Sequence, residues 1–201
     1  MSLDHFKNQY GLSDQSFILL PYGSRVYGTA SDKSDEDYMA VVLDRKCGTK
    51  TGEEYRHGNV NIHIYNRDDW QEQLHQHKIH TLEAYYLPDK LCKAHFQFKL
   101  DKTKLRHSLV EKASHSFVKA KKKIEVEKDY YVGWKSLFHS LRILTFGQQM
   151  AESGSITDYA AANHYWFEIL NNPNYQWAYF KEKYQPIYNQ LSTEFRKVAP
   201  K

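Results

Sequence analysis

The run Gly23-Ser24-Arg25-Val26-Tyr27-Gly28, followed by Ser34-Asp35-Glu36-Asp37, brings together two residue sets that could do chemistry. A turn of small residues that opens a short helix leaves its first amides without internal partners, and a polyphosphate can bind there. Asp35 and Asp37 are two residues apart at the head of the apolar stretch from Met39 to Leu43. On a strand, that spacing sets both carboxylates on one face. Two carboxylates beside a phosphate cradle form the ligand set by which Mg²⁺ bridges a nucleoside triphosphate.

These residues need a scaffold, and the flanking sequence predicts one. Phe17-Ile18-Leu19-Leu20 reads as a buried strand over about 16–22, with Pro21 near its margin. Further strands are expected over 38–43 and 60–65, the latter facing Glu53-Glu54-Tyr55-Arg56 across a His57-Gly58-Asn59 turn. In this hairpin Val60, Ile62 and Ile64 should face the core, and Asn61, His63 and Tyr65 the opposite side. A lead-in helix should end near Gly11. Asp68-Asp69-Trp70 opens a helix expected to run to Lys78, with acids at its positive end. Thr81 to Leu87 is a second short helix stopped by Pro88, and His75, His77 and His80 are expected on the surface.

The pattern Gly-Ser, three residues, Gly, then Ser-Asp-x-Asp before an apolar strand resembles the DNA polymerase β-type nucleotidyltransferase superfamily. It is most similar to stand-alone predicted nucleotidyltransferases of bacteria and large phages, and Gly23, Ser24, Arg25, Tyr27, Gly28, Ser34, Asp35 and Asp37 carry the match. The resemblance implies that Asp35 and Asp37 ligate Mg²⁺ or Mn²⁺, and that Ser24 and the amides around Gly23 hold the terminal phosphates of an NTP. Arg25 either supports those phosphates or is a surface arginine. It also implies a third carboxylate on the next strand, where this chain carries Asn61 and His63. An amide is a weak Mg²⁺ ligand and imidazole a poor one. His63 is therefore a candidate base, since imidazole titrates near neutrality, with Glu53 or Glu54 able to fold in from the facing arm. Glu83 belongs to a Leu-Glu pair that the family also carries; it either approaches the site or is a structural helix acid.

After residue 100 the texture turns helical. Ala113, Phe117, Ala120 and Ile124 mark one apolar face. A second helix should run from about Tyr131 to Glu152, closed by Gly154; a third from Ser155 to Asn171; a fourth over most of Tyr175 to Val198, bent near Pro186. On the second, Lys135, His139 and Arg142 form a polar stripe opposite Trp134, Leu137, Leu141 and Leu144. The family has a similar Lys, three residues, His, two residues, Arg pattern, which implies a grip on the triphosphate. The other reading is the wet side of an amphipathic helix.

The expected fold class is α+β: residues 1–100 as a small mixed β-sheet nucleotidyltransferase core with flanking helices, and 101–201 as a C-terminal helical bundle that closes the cleft. The chain has 201 residues, 26% of them charged and 41% hydrophobic, an ordinary globular composition. Its net charge of +4 suits anionic ligands; nucleic acid is compatible with that value but not called for by it. The densest basic run, Lys119 to Lys123, reads as a solvated helix face through pairs with Glu125 and Glu127, or alternatively as an RNA- or DNA-contacting patch. Cys47 and Cys92 lack metal-ligand spacing and read as free thiols; with no signal peptide or membrane span in the sequence, a cytoplasmic location is expected. The leading expectation is a metal-dependent nucleotidyltransferase that moves an NMP from an NTP to a hydroxyl acceptor, whether protein, small molecule or RNA end, releasing pyrophosphate. The alternative is a catalytically weakened binding protein of the same fold, antitoxin-like or regulatory.

Overall fold

A computed structural model describes residues 3–44, 49–172 and 174–200. The chain divides into two compact units, Met1–Lys99 and Leu100–Lys201. It is mixed α+β, and among the described residues no helix is long and apolar enough to cross a membrane. Cys47 lies outside the described residues.

The first unit is built on a four-stranded mixed sheet of order β1-β2-β4-β3: β1 Phe17–Tyr22, β2 Glu36–Val42, β3 Glu54–His57 and β4 Val60–Asn66. β1 is antiparallel to β2, β2 is parallel to β4, and β3 closes a hairpin with β4. One face carries Phe17, Ala40, Val42, Tyr55, Val60, Ile62 and Ile64, packed on Phe6 of helix α1 (Leu3–Tyr10) and on Leu12. Alternation along β4 then turns Asn61, His63 and Tyr65 to the other face, as expected. There Leu20, Met39 and Val41 are buried, and the Tyr65 ring meets Trp70 of helix α3 (Arg67–His75) at 5.1 Å.

Helix α3 starts where Asn66 caps it, its side chain accepting from the Asp69 amide at 2.8 Å. It stops at His75 rather than Lys78, because His77 adopts a left-handed backbone (φ 58°). The His77 ring is buried edge-on to Phe98 at 4.9 Å. The surface expectation therefore fails for His77, and also for His80, which is half-buried and stacked on Tyr65. Only long-range partners place these two rings, and local sequence does not report them. Helix α4 (Ile79–Tyr85) follows, then helix α5 (Leu91–His95), which the sequence reading did not foresee. In α5, burial pushes the Cys92 thiol up to about 11, so it stays protonated and unreactive.

The second unit contains helix α6 (Lys102–Lys121), a π-helical turn (Lys122–Val126), helix α7 (Tyr130–Ser153), helix α8 (Asn163–Leu170) and helix α9 (Trp177–Val198). Asp101 caps α6 by accepting from the Thr103 and Lys104 amides at 2.9 and 3.0 Å. Ala113, Phe117, Ala120 and Ile124 do line one buried face. A Cβ on Gly133 would lie 2.4 Å from Ile124 Cγ1, so α7 can approach the π turn closely only with glycine there. The third helix starts at Asn163, not Ser155. Gln149 on α7 holds the preceding segment, its Oε1 accepting from the amides of Thr157 and Asp158 at 2.8 and 2.9 Å. Pro186 sits inside α9.

Candidate functional site

The turn from β1 into helix α2 (Ser24–Tyr27) and the head of β2 meet at one point of the sheet unit. β1 ends at Tyr22, which pairs with Asp37, and Asp37 pairs on its other side with Asn61. The chain leaves β1 through Gly23 at φ 83°, a backbone region that side-chain-bearing residues rarely enter. A Cβ there would stand 2.6 Å from Asp37 Oδ2. Glycine thus serves twice: it makes the turn, and it lets the backbone lie directly against the Asp37 carboxylate. Helix α2 (Ser24–Tyr27) begins at this contact and ends on Gly28.

Two side chains brace α2. Arg25 donates from Nη2 to the Ser34 carbonyl at 2.9 Å and from Nε to that of Asp35 at 3.4 Å. Its guanidinium therefore ties α2 to the loop that carries the first aspartate. Tyr27, 3% exposed, donates its hydroxyl to Glu83 Oε2 on α4 at 2.7 Å, and Glu83 is 4% exposed. Glu83 thus anchors α2 from below, which matches the structural-acid alternative.

Asp35 differs from expectation. β2 starts at Glu36, whose amide donates to the Asn59 carbonyl at 2.7 Å, so Asp35 lies one residue before the strand and is exposed. Strand alternation therefore fixes Asp37 alone, and the Arg25-braced loop positions Asp35.

A line of polar side chains extends from Asp37 across the sheet. The Asn61 amide donates from Nδ2 to Asp37 Oδ1 at 3.4 Å, and the same nitrogen lies 3.3 Å from His63 Nε2. On the other side of the ring, His63 Nδ1 is 3.3 Å from Glu54 Oε1. With Nδ1 protonated toward Glu54, Nε2 is left as the acceptor on the Asn61 side. Tyr22 meets the His63 ring edge-on at 6.3 Å. Glu54, which pairs with His63 in the β3–β4 ladder, is therefore the arm residue that folds in. The sequence offered Glu53 and Glu54 equally; the hairpin register separates them.

For a divalent metal this donor set offers at most two carboxylates, those of Asp35 and Asp37. Among the described residues no group of three or more His, Cys, Asp or Glu side chains is placed to hold a metal ion. Mg²⁺ is commonly held by one or two carboxylates plus substrate phosphates and water, so Asp35 and Asp37 meet the minimum. Beside Asp37, the buried Oδ1 of Asn61 has no hydrogen-bond partner. A buried acceptor without a donor is disfavoured, and an incoming cation or its water would satisfy it. A groove of about 510 Å³ on the outer side of β1, lined by Lys7, Ile18, Leu19, Leu91 and His95 among others, contains none of these residues.

In the helical unit, the stripe on α7 is not the wet face of an amphipathic helix. Lys135 is exposed, with Nζ 5.2 Å from the Tyr131 ring. Arg142 is 7% exposed, lying over Phe138 and Phe146, and its Nη2 is 2.9 Å from His139 Nδ1. Burial, and then the positive charges of Arg142, Lys112 and Lys119, hold the His139 imidazole well below the usual histidine range. The ring is thus neutral at pH 7 and accepts from Arg142. Trp134, expected on the apolar stripe, is half-buried and packs against the cluster that contains Leu137, Leu141 and Phe180. Lys119 belongs to the basic run noted in the sequence; Lys112, seven residues before it and so on the same face of α6, was not singled out there.

No family model matches this chain, and no curated protein is similar to it.

Proposed function

We propose that the chain is a metal-dependent nucleotidyltransferase of the DNA polymerase β type, moving an NMP from an NTP to a hydroxyl acceptor. The observation that carries the reading is the contact of Gly23 with the Asp37 carboxylate, which sets a phosphate-type turn against a metal-type ligand. Asp35 and Asp37 would hold Mg²⁺ or Mn²⁺, which when bound neutralises the phosphates and the leaving pyrophosphate. Ser24 and the amides beside it would take the terminal phosphates, and Arg25 keeps turn and loop in register. The acceptor oxygen bonds to the α-phosphorus as the bond to the pyrophosphate oxygen breaks. The acceptor proton passes to His63 Nε2, whose tautomer Glu54 fixes.

Purified protein incubated with labelled NTPs, Mg²⁺ or Mn²⁺, and cell extract should label an acceptor. Asp35→Asn and Asp37→Asn should each lower that transfer by about 100-fold or more, with the fold intact. Wild-type turnover in both variants would refute the assignment. Asn61, an amide where the family has its third acid, favours a second reading: a fold retained for binding. NTP binding with no transfer to any acceptor would select it.

A further inference from the structure

Lysines along α6 and the π-helical turn after it differ in their partners. Lys121, Lys122 and Lys123 face carboxylates: Lys121 reaches Glu125 at 3.6 Å, Lys122 reaches Glu127 at 3.2 Å, and Lys123 reaches Glu127 at 2.5 Å. Among the described residues, Lys112 and Lys119 have no carboxylate partner, nor does Lys135 on α7. Lys112 and Lys119 are seven residues apart, two turns of one helix face and about 10 Å. Both project their field onto His139, one turn along α7 from Lys135 and hydrogen-bonded to Arg142. Three exposed lysines thus lie on α6 and α7 of the helical unit, with a neutral imidazole between the two that face it and Lys135. Lys112, Lys119 and Lys135 are exposed, and their summed field suits an anion. Next to Lys135 the Tyr131 ring is 53% exposed and held edge-on by Trp166 at 6.0 Å, a fixed aromatic platform at the edge of the charge.

We infer that the α6–α7 face binds single-stranded nucleic acid, with Lys112, Lys119 and Lys135 on backbone phosphates and Tyr131 stacking on a base. Unpaired lysines spaced along a helix suit a repeating chain of phosphates, and an exposed ring beside them suits an unpaired base. A duplex offers phosphates but keeps its bases stacked on one another, so Tyr131 selects the single strand. This inference is independent of the transfer reaction proposed for the sheet unit, since no residue is shared.

The test is fluorescence anisotropy with a short labelled single-stranded RNA of mixed sequence, titrated over a range of KCl. Wild type should bind and lose affinity steeply with salt. Lys112→Ala/Lys119→Ala should weaken binding by roughly tenfold and flatten the log–log salt slope by about 1.4, two contacts at about 0.7 each. Lys121→Ala/Lys122→Ala, which removes cations already paired, should leave both quantities unchanged. Tyr131→Ala should weaken binding by about fivefold or more with the slope intact, the signature of lost stacking. The inference is overturned by absence of wild-type binding, by equal losses from the two lysine pairs, or by equal affinity for the duplex. Displacement of the RNA by inorganic triphosphate at the same phosphate concentration would also overturn it, assigning the face to a small polyphosphate. Loss of transfer in Asp37→Asn with RNA binding retained would separate this site from the sheet site.

Discussion

In the sheet unit the polar side chains of the candidate site lie along one face of the strands, half-buried at Asp37, Asn61 and His63 and exposed at Glu54, each in contact with the next. In the helical unit the corresponding polar pair, His139 and Arg142, lies in mid-helix among Phe138 and Phe146. The first arrangement keeps these groups at or near the surface and takes little from the core. The second fills core volume with a charge whose packing and hydrogen bonds hold the helix in place. Substitution should therefore remove function in one unit and folding in the other.

Gly23→Ala should show the largest effect. The added methyl would enter the space of Asp37 Oδ2 at 2.6 Å, in a backbone region that alanine disfavours. Transfer should fall at least as far as in Asp37→Asn, because turn and ligand move apart together. Stability of the sheet unit should drop by about 1–3 kcal/mol, from strain alone. Urea unfolding followed by Trp70 fluorescence, run beside the transfer assay, measures both. A variant of normal activity would mean that the contact between Gly23 and Asp37 is incidental.

Arg142→Ala should be next. Truncation removes a buried side chain from two aromatic rings and from His139, and should destabilise the helical unit by about 2–4 kcal/mol. Arg142→Lys keeps the charge but loses the planar fork that spans the rings and the imidazole, so it should recover only part of the loss. The sheet unit's unfolding should not change in either variant. If both variants unfold as wild type does, the pair is not structural.

The two units also differ in how far their sequence predicts them. Alternation in Val60-Asn61-Ile62-His63-Ile64 is local, and it placed the facing residues correctly. The start of β2 depends on one backbone bond from Glu36 to Asn59, a partner distant in sequence, so the position of Asp35 outside the strand was not legible. The choice of Glu54 over Glu53 likewise required the hairpin register. In the helical unit the helices themselves followed from periodicity, but burial on α7 did not. Arg142, three residues from His139, reads as surface by spacing, and only packing of aromatic rings around it reverses that. Lys112 and Lys119 are legible as one face of α6; that their charges converge on α7 is a tertiary fact.

The smallest expected effect is a pH dependence confined to the helical unit, and its sign follows from the direction of the His139 shift. Burial, with Arg142, Lys112 and Lys119 facing the ring, lowers its affinity for a proton in the folded state. In the unfolded chain the same imidazole titrates near the ordinary value of 6.5. Above that pH both states hold a neutral ring and His139 contributes no slope. As pH falls below it, the unfolded chain takes up a proton that the folded unit refuses, so stability declines with acid. His139→Gln keeps an acceptor for Arg142 without a titrating proton, and should flatten the slope on the acid side while leaving stability at pH 8 nearly unchanged. Thermal unfolding of the helical unit between pH 5 and 8, wild type against His139→Gln, measures the difference. Equal slopes in the two proteins would show that His139 is not held neutral. They would also remove the contrast in burial between the His139–Arg142 pair and the polar line of the sheet unit.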